Sequence, residues 1–109
     1  MEVIWSRLAK ETLAVIVEYI EVCFNSTVAL KFYNKIKNHI DSLAFFPRIG
    51  MRDPLFSTAK MEVRYIINTP NIIHYGIIGE TIIIISVFDT RRSPDTINTV
   101  VNKFIENYK

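Results

Sequence analysis

The stretch TIIIISVF, Thr81 to Phe88, is the most hydrophobic segment of the chain and ends on adjacent arginines, Arg91 and Arg92, just before Pro94. A short run of β-branched residues bounded by turn signals reads as a strand. Gly79-Glu80 supplies a two-residue hairpin turn before it, and NTPN, Asn68 to Asn71, supplies a four-residue loop further back. Three strands are therefore expected at about Lys60–Ile67, Ile72–Ile78 and Thr81–Asp89. Two readings of the paired arginines are open. Either the strand end simply surfaces in water, or the sheet delivers positive charge to a site that binds an anion.

Strand parity carries the reading further. If Ile67 pairs with Ile72 and Ile78 with Thr81, directly opposed residues share a face. One face then holds Met61, Val63, Tyr65, Ile67, Ile72, His74, Ile78, Ile83, Ile85 and Val87, and a pair of helices is expected to pack on it. There His74 is expected as a buried, hydrogen-bonded core histidine. The opposite face holds Glu62, Arg64, Ile66, Ile73, Tyr75, Ile77, Ile82, Ile84, Ser86 and Phe88, with Arg64 opposite Tyr75. An arginine is costly to bury without a partner, so Arg64 is expected to face water or a ligand, or to pair with Glu62. Ile73, Ile77, Ile82, Ile84 and Phe88 on that face form an apolar patch that a monomer seldom leaves bare, so either the C-terminal helix or a partner chain is expected to cover it. Arg92 would point to the same face and Arg91 to the rim.

The rest of the chain supplies helices. MEVIWS at the start alternates as a short strand. Ala9, Leu13, Ile16, Val17, Ile20 and Phe24 then fall on one helical face, and Asn25–Thr27 offers capping residues before a second helix. Its stripe is Ala29, Phe32, Tyr33, Ile36, Ile40 and Leu43, with Lys31 and Lys35 on the wet side. So short a connection predicts an antiparallel helical hairpin. FFPRIGMRDP, broken by Pro47, Gly50 and Pro54, reads as the longest irregular piece. Helical spacing returns from Pro94 to about position 107 through Ile97, Val100, Val101, Phe104 and Ile105, with Ser93 or Asp95 as cap. The order is β-α-α-β-β-β-α. It predicts an α+β fold in which an antiparallel sheet carries the helical hairpin on one face.

Bulk properties narrow the function. At 109 residues the chain reads as one domain over 1–109. Lys+Arg 13 against Asp+Glu 11 makes a charge of +2, so nucleic-acid binding would need a local patch. The single cysteine, Cys23, sits in an apolar helical pattern; it excludes an internal disulfide and fits a reducing compartment. The purely apolar runs, such as Leu13 to Val17 and Ile82 to Ile85, fall far short of the ~20 residues of a membrane span. A cytoplasmic protein with no membrane association is expected.

Several pieces taken together resemble the RelE/ParE superfamily of small toxins from bacterial toxin–antitoxin modules. They are a first strand ending in WS, the helix residues Leu13, Ile16 and Tyr19-Ile20, and FPRIG after the second helix. Arg64 within MEVRYII and VFDTRRSP at the end of the last strand complete the set, so the likeness spans about Met1 to Pro94. The resemblance implies an unstable cognate antitoxin that wraps and neutralises the toxin, and the apolar patch Ile73, Ile77, Ile82, Ile84 and Phe88 would receive it. It implies one of two targets: DNA gyrase for ParE-like members, or messenger RNA on the ribosome for RelE-like ones, which are metal-independent endoribonucleases. No cofactor or metal is implied in either case. A homodimer and a toxin–antitoxin hetero-oligomer are both open.

For RNA cleavage, Arg64 and Arg92 would grip the scissile phosphate through their planar forks, and Tyr75 would stand in as the proton-transfer group. Arg48, Lys60 and Arg91 would bind target or phosphate at the rim. RNA-cleaving relatives often carry a His or Tyr just after the last strand, and RRSPDTINTVV has neither. That departure, with FPRIG and RRSP, favours the gyrase-directed branch. A degenerate member that binds antitoxin without toxicity is the remaining alternative.

Overall fold

The computed structural model describes every residue except Ala59 and Lys109. The elements are β1 (Glu2–Trp5), α1 (Arg7–Cys23), α2 (Ser26–Asp41), β2 (Met51–Arg52), β3 (Glu62–Asn68), β4 (Asn71–Ile78), β5 (Thr81–Asp89) and α3 (Pro94–Asn107), with a 3-10 turn at Ser42–Ala44. Their order is the expected one, with a two-residue strand added inside the segment read as irregular. The fold is α+β. Its sheet is mixed, because β1 runs parallel to β5 while the other neighbours are antiparallel, in the order β1-β5-β4-β3-β2.

Local chemistry sets the helix starts. Ser6 caps α1 by accepting from the Ala9 amide at 2.9 Å, and Asn25 caps α2 by accepting from the Val28 amide at 2.9 Å. That second cap makes the tight hairpin turn. In α3 the cap position is Ser93, whose side chain makes no capping bond; Pro94 opens the helix, where its missing N–H costs nothing.

The hairpin turns pair as the loop lengths require: Ile67 lies opposite Ile72, Arg64 opposite Tyr75 and Ile78 opposite Thr81. The two faces, however, are the reverse of those expected. The helical hairpin packs on the side that carries Arg64. There Ala9, Leu13, Ile36, Ile40 and Leu43 meet Ile66, Ile73, Tyr75, Ile77, Ile82, Ile84 and Val87. The face with Met61, Val63 and Ile85 is instead covered by α3 through Ile97 and Val101. Both faces are rich enough in isoleucine and valine for either to bury, so alternation alone could not choose between them. The long aliphatic set on the Arg64 side takes the larger helical layer.

A register shift between His74 and Tyr75 leaves Ile85 as an extra residue on β5. Such a bulge changes the parity of everything after it. Val87 therefore turns under the hairpin, while Ser86 and Phe88 turn toward α3. The expected outward patch does not exist as a surface. Ile73, Ile77, Ile82 and Ile84 are 0–4% exposed beneath the hairpin, and Phe88 is 5% exposed on the α3 side.

His74 is buried, as expected, but its Nδ1 has no partner, and neither does Oγ of Ser86 directly across from it. Phe56 and Tyr65 crowd the imidazole at ring-centroid distances of 6.4 and 5.8 Å. Burial drives its pKa down to about 4, with the Asp53 carboxylate pulling weakly the other way.

Two outcomes follow from this packing. Ile84→Ala should cost about 2–5 kcal/mol of unfolding free energy with an unchanged denaturant slope, measured in guanidinium. His74 is neutral when folded and protonates readily when unfolded, so the unfolded state binds the extra proton between pH 6.5 and 4. Stability should therefore fall by about 3 kcal/mol as pH drops through that window. His74→Leu should flatten that part of the pH–stability curve.

Candidate functional site

The segment from Phe45 to Gly50 is irregular, yet two side chains, Tyr75 and Arg64, fix it. The Tyr75 hydroxyl donates to the Pro47 carbonyl at 2.8 Å and accepts from the Gly50 amide at 3.0 Å. Arg64, cross-strand partner of Tyr75, reaches the same segment with Nη1, 2.6 Å from the Gly50 carbonyl and 3.3 Å from that of Arg48. Its Nε pairs with Glu62, which also receives Arg48. Gly50 is required here, since a Cβ would sit 2.6 Å from the Tyr75 hydroxyl and 2.7 Å from the backbone oxygen of Tyr65.

This arrangement corrects the expected role of the two residues. Tyr75 is fully buried, with its hydroxyl pKa raised by that burial, and it is no base in an open cleft. The Arg64 side chain is 16% exposed, with its Nε engaged by Glu62 and its Nη1 by backbone carbonyls. It neither faces open water nor stands ready for a phosphate. Pairing with Glu62, the plainer alternative, is what the structure has. The two arginines holding Glu62, with Arg64 the stronger contact, keep its carboxyl below its ordinary range.

The end of β5 is a separate place. Arg64 lies level, through Tyr75, with Ile84, whereas Arg92 lies beyond the end of β5. The two expected phosphate ligands do not meet. Arg91 grips Asp89 with two bonds of 2.9 and 2.7 Å, which holds the Asp89 pKa at about 2. Arg92 is exposed and rests over the Phe88 ring at 5.4 Å. Lys60 stands 5.9 Å from the Tyr108 ring. Of the five cations named from the sequence, Arg48, Arg64 and Arg91 are thus engaged by carboxylates, and Arg92 and Lys60 lie against aromatic rings.

Two other surfaces went unmarked in the sequence. On α1, Val15, Tyr19 and Val22 are 62–79% exposed and recur at helical spacing beside the buried stripe. Val15 and Tyr19 line a groove of about 380 Å³ with Val87, Phe88, Arg91 and Arg92. Phe24, placed on the core stripe from its spacing, is 68% exposed at the hairpin tip. A smaller cavity of about 200 Å³ lies under the start of α3, where Asp53, Tyr65, His74 and Arg92 are among its walls. Among the described residues, no cluster of His, Cys, Asp and Glu is placed to hold a metal ion, and no helix is long and apolar enough to cross a membrane.

The Tyr75 clamp is measurable. Tyr75→Phe leaves the Gly50 amide and the Pro47 carbonyl without that partner, and should cost about 1–3 kcal/mol in denaturant unfolding. Ile84 packing would be untouched, so the loss should appear without a change in the denaturant slope.

Comparison with known proteins places this geometry. Over residues 3–94 the chain matches the family described as the ParE toxin of the type II toxin-antitoxin system, parDE. Among solved structures it is similar to a chain of the chromosomal ParDE TA system from P. aeruginosa. The TM-score is 0.65 at 20% identity, over 82% of this chain and 95% of that one. No curated protein matches. With the family matched across nearly the whole sheet and helical hairpin, the chain belongs to the ParE toxin family of type II toxin–antitoxin systems.

Proposed function

We propose that this chain arrests bacterial growth by binding DNA gyrase in the cytoplasm, and that a cognate antitoxin neutralises it. The observation that carries this reading is the use of Arg64 and Tyr75. The Tyr75 hydroxyl and Nη1 of Arg64, in side chains suited by type to proton transfer and phosphate grip, instead hold the Pro47–Gly50 backbone, while Nε of Arg64 pairs with Glu62. What they produce is a fixed surface, which suits recognition. Membership of the ParE family and the likeness to a ParDE chain support the same branch. The antitoxin has bare apolar ground on α1, where Val15, Tyr19 and Val22 offer helix-spaced anchors beside Arg91 and Arg92.

One observation favours a second reading, metal-independent RNA cleavage. Arg92, His74 and Tyr65 do line one cavity, and an arginine with two ring groups is a plausible phosphate-and-base constellation. Against it, His74 is held neutral and nearly solvent-free, which suits it poorly to proton donation at neutral pH.

Induced expression in bacteria separates these readings. Growth arrest with a DNA-damage response, intact transcripts and inhibition of purified gyrase supercoiling is the expected result. Transcripts cut within reading frames and bearing 2′,3′-cyclic phosphate ends would replace it with the nuclease reading. Normal growth would identify a member that has lost toxicity.

A further inference from the structure

The segment that Tyr75 and Arg64 hold down is unusually greasy on its outer side. Phe45, Phe46, Ile49, Met51 and Leu55 are 62–81% exposed, and Ile67 beside them on β3 is 49% exposed. In a frayed loop such exposure carries no meaning. This one is fixed by the buried Tyr75 hydroxyl, by the Arg64 fork, and at its base by the Met1 ammonium, 3.0 Å from the Ala44 carbonyl. A surface both apolar and preorganised costs little to order on binding.

It is also a sheet edge. β2 is the outermost strand, and the Asp53 amide bonds to the Val63 carbonyl at 2.8 Å. In an antiparallel ladder, bonded and non-bonded pairs alternate. Met51 therefore bonds inward to Tyr65, and Arg52, opposite Arg64, turns its peptide N–H and C=O outward. Edges of this kind are usually blunted, and β2 is short, carries Arg52 and is followed by Asp53 and Pro54, so it can take one short partner strand and not a long ladder. The surrounding charge is positive. Arg48, Arg52 and Arg64 stand against Glu62 and Asp53, Arg48 and Arg64 share Glu62, and Arg52 is in no ion pair among the described residues.

We infer that this edge is where the toxin engages its target: an extended segment of the target protein, alternating apolar and acidic side chains, adds as a strand along β2. Its apolar side chains cover Ile49 and Met51, its peptide groups meet those of Arg52, and its carboxylates approach Arg48 and Arg52. The inference rests on the proposed action by protein contact. It leaves the helix-spaced α1 surface to the antitoxin, so the two partners use surfaces of different kinds.

The test uses the full chain with two variants, Ile49→Asp/Met51→Asp and Arg52→Glu, at positions exposed enough for the fold to tolerate them. Three readouts are taken: growth arrest on induction, inhibition of purified gyrase, and complex formation with the cognate antitoxin. Thermal unfolding confirms the fold, and Phe45→Ser, at an 81% exposed position, replaces any variant that fails it. The expected result is intact antitoxin binding with at least about a tenfold loss of arrest potency. Variants that arrest growth like the wild type overturn the inference. So do variants that lose the antitoxin but still arrest, since the edge would then belong to the antitoxin. Should the variants lose arrest while the wild type leaves gyrase untouched, the edge stands and the gyrase reading falls. A wild-type chain that arrests nothing overturns both.

Discussion

β5 carries layers on both sides, and the fold is organised around that demand. Ile82, Ile84 and Val87 lie beneath the α1–α2 hairpin, while Ile85 and Phe88 lie beneath α3. A strand buried on both faces has no polar side to give to water, so it reads as a continuous apolar run and must sit inside the sheet. β1 covers one flank in parallel and β4 the other. The bulge at Ile85 lets the same strand serve two helical layers, by shifting which residues face each of them after Ile84.

That central burial pushes function to the margins. With Tyr75 inside the hairpin-side core, its hydroxyl is the only polar atom of that side chain and needs partners. It finds them in Pro47 and Gly50, and Arg64 beside it adds two further carbonyl contacts. Core packing and loop position are thereby coupled through a single cross-strand pair. The exposed Phe46, Ile49 and Met51 flank the backbone that the same pair holds. The chain thus carries a fixed sheet edge and, apart from it, an exposed apolar face on α1.

Much of this was legible in the residues. Turn lengths set both hairpin registers, so Arg64 fell opposite Tyr75 as expected, and Asn25 marked the break between the helices. Pro94 marked the start of the last helix. The failures have physical causes. Both sheet faces are aliphatic, so the choice of face was decided by which helical layer fits, a tertiary matter that alternation does not encode. The bulge leaves no mark in TIIIISVF, since any of four isoleucines could be the extra residue. The role of Arg64 went astray because an arginine's partners can be backbone carbonyls from a loop remote in sequence, which no local pattern reveals. The α1 surface could have been found, since Val15, Tyr19 and Val22 recur at helical spacing off the core stripe.

The Arg64–Tyr75 pair clamps the 47–50 backbone, and amide hydrogen exchange at Gly50 reads that clamp most directly. The Gly50 amide should be protected in the wild-type chain and should lose that protection in Tyr75→Phe, while the amide of Ile84 stays slow in both. A Gly50 amide that exchanges freely in the wild type would contradict the clamp, and with it the idea that the chain is built to present this surface.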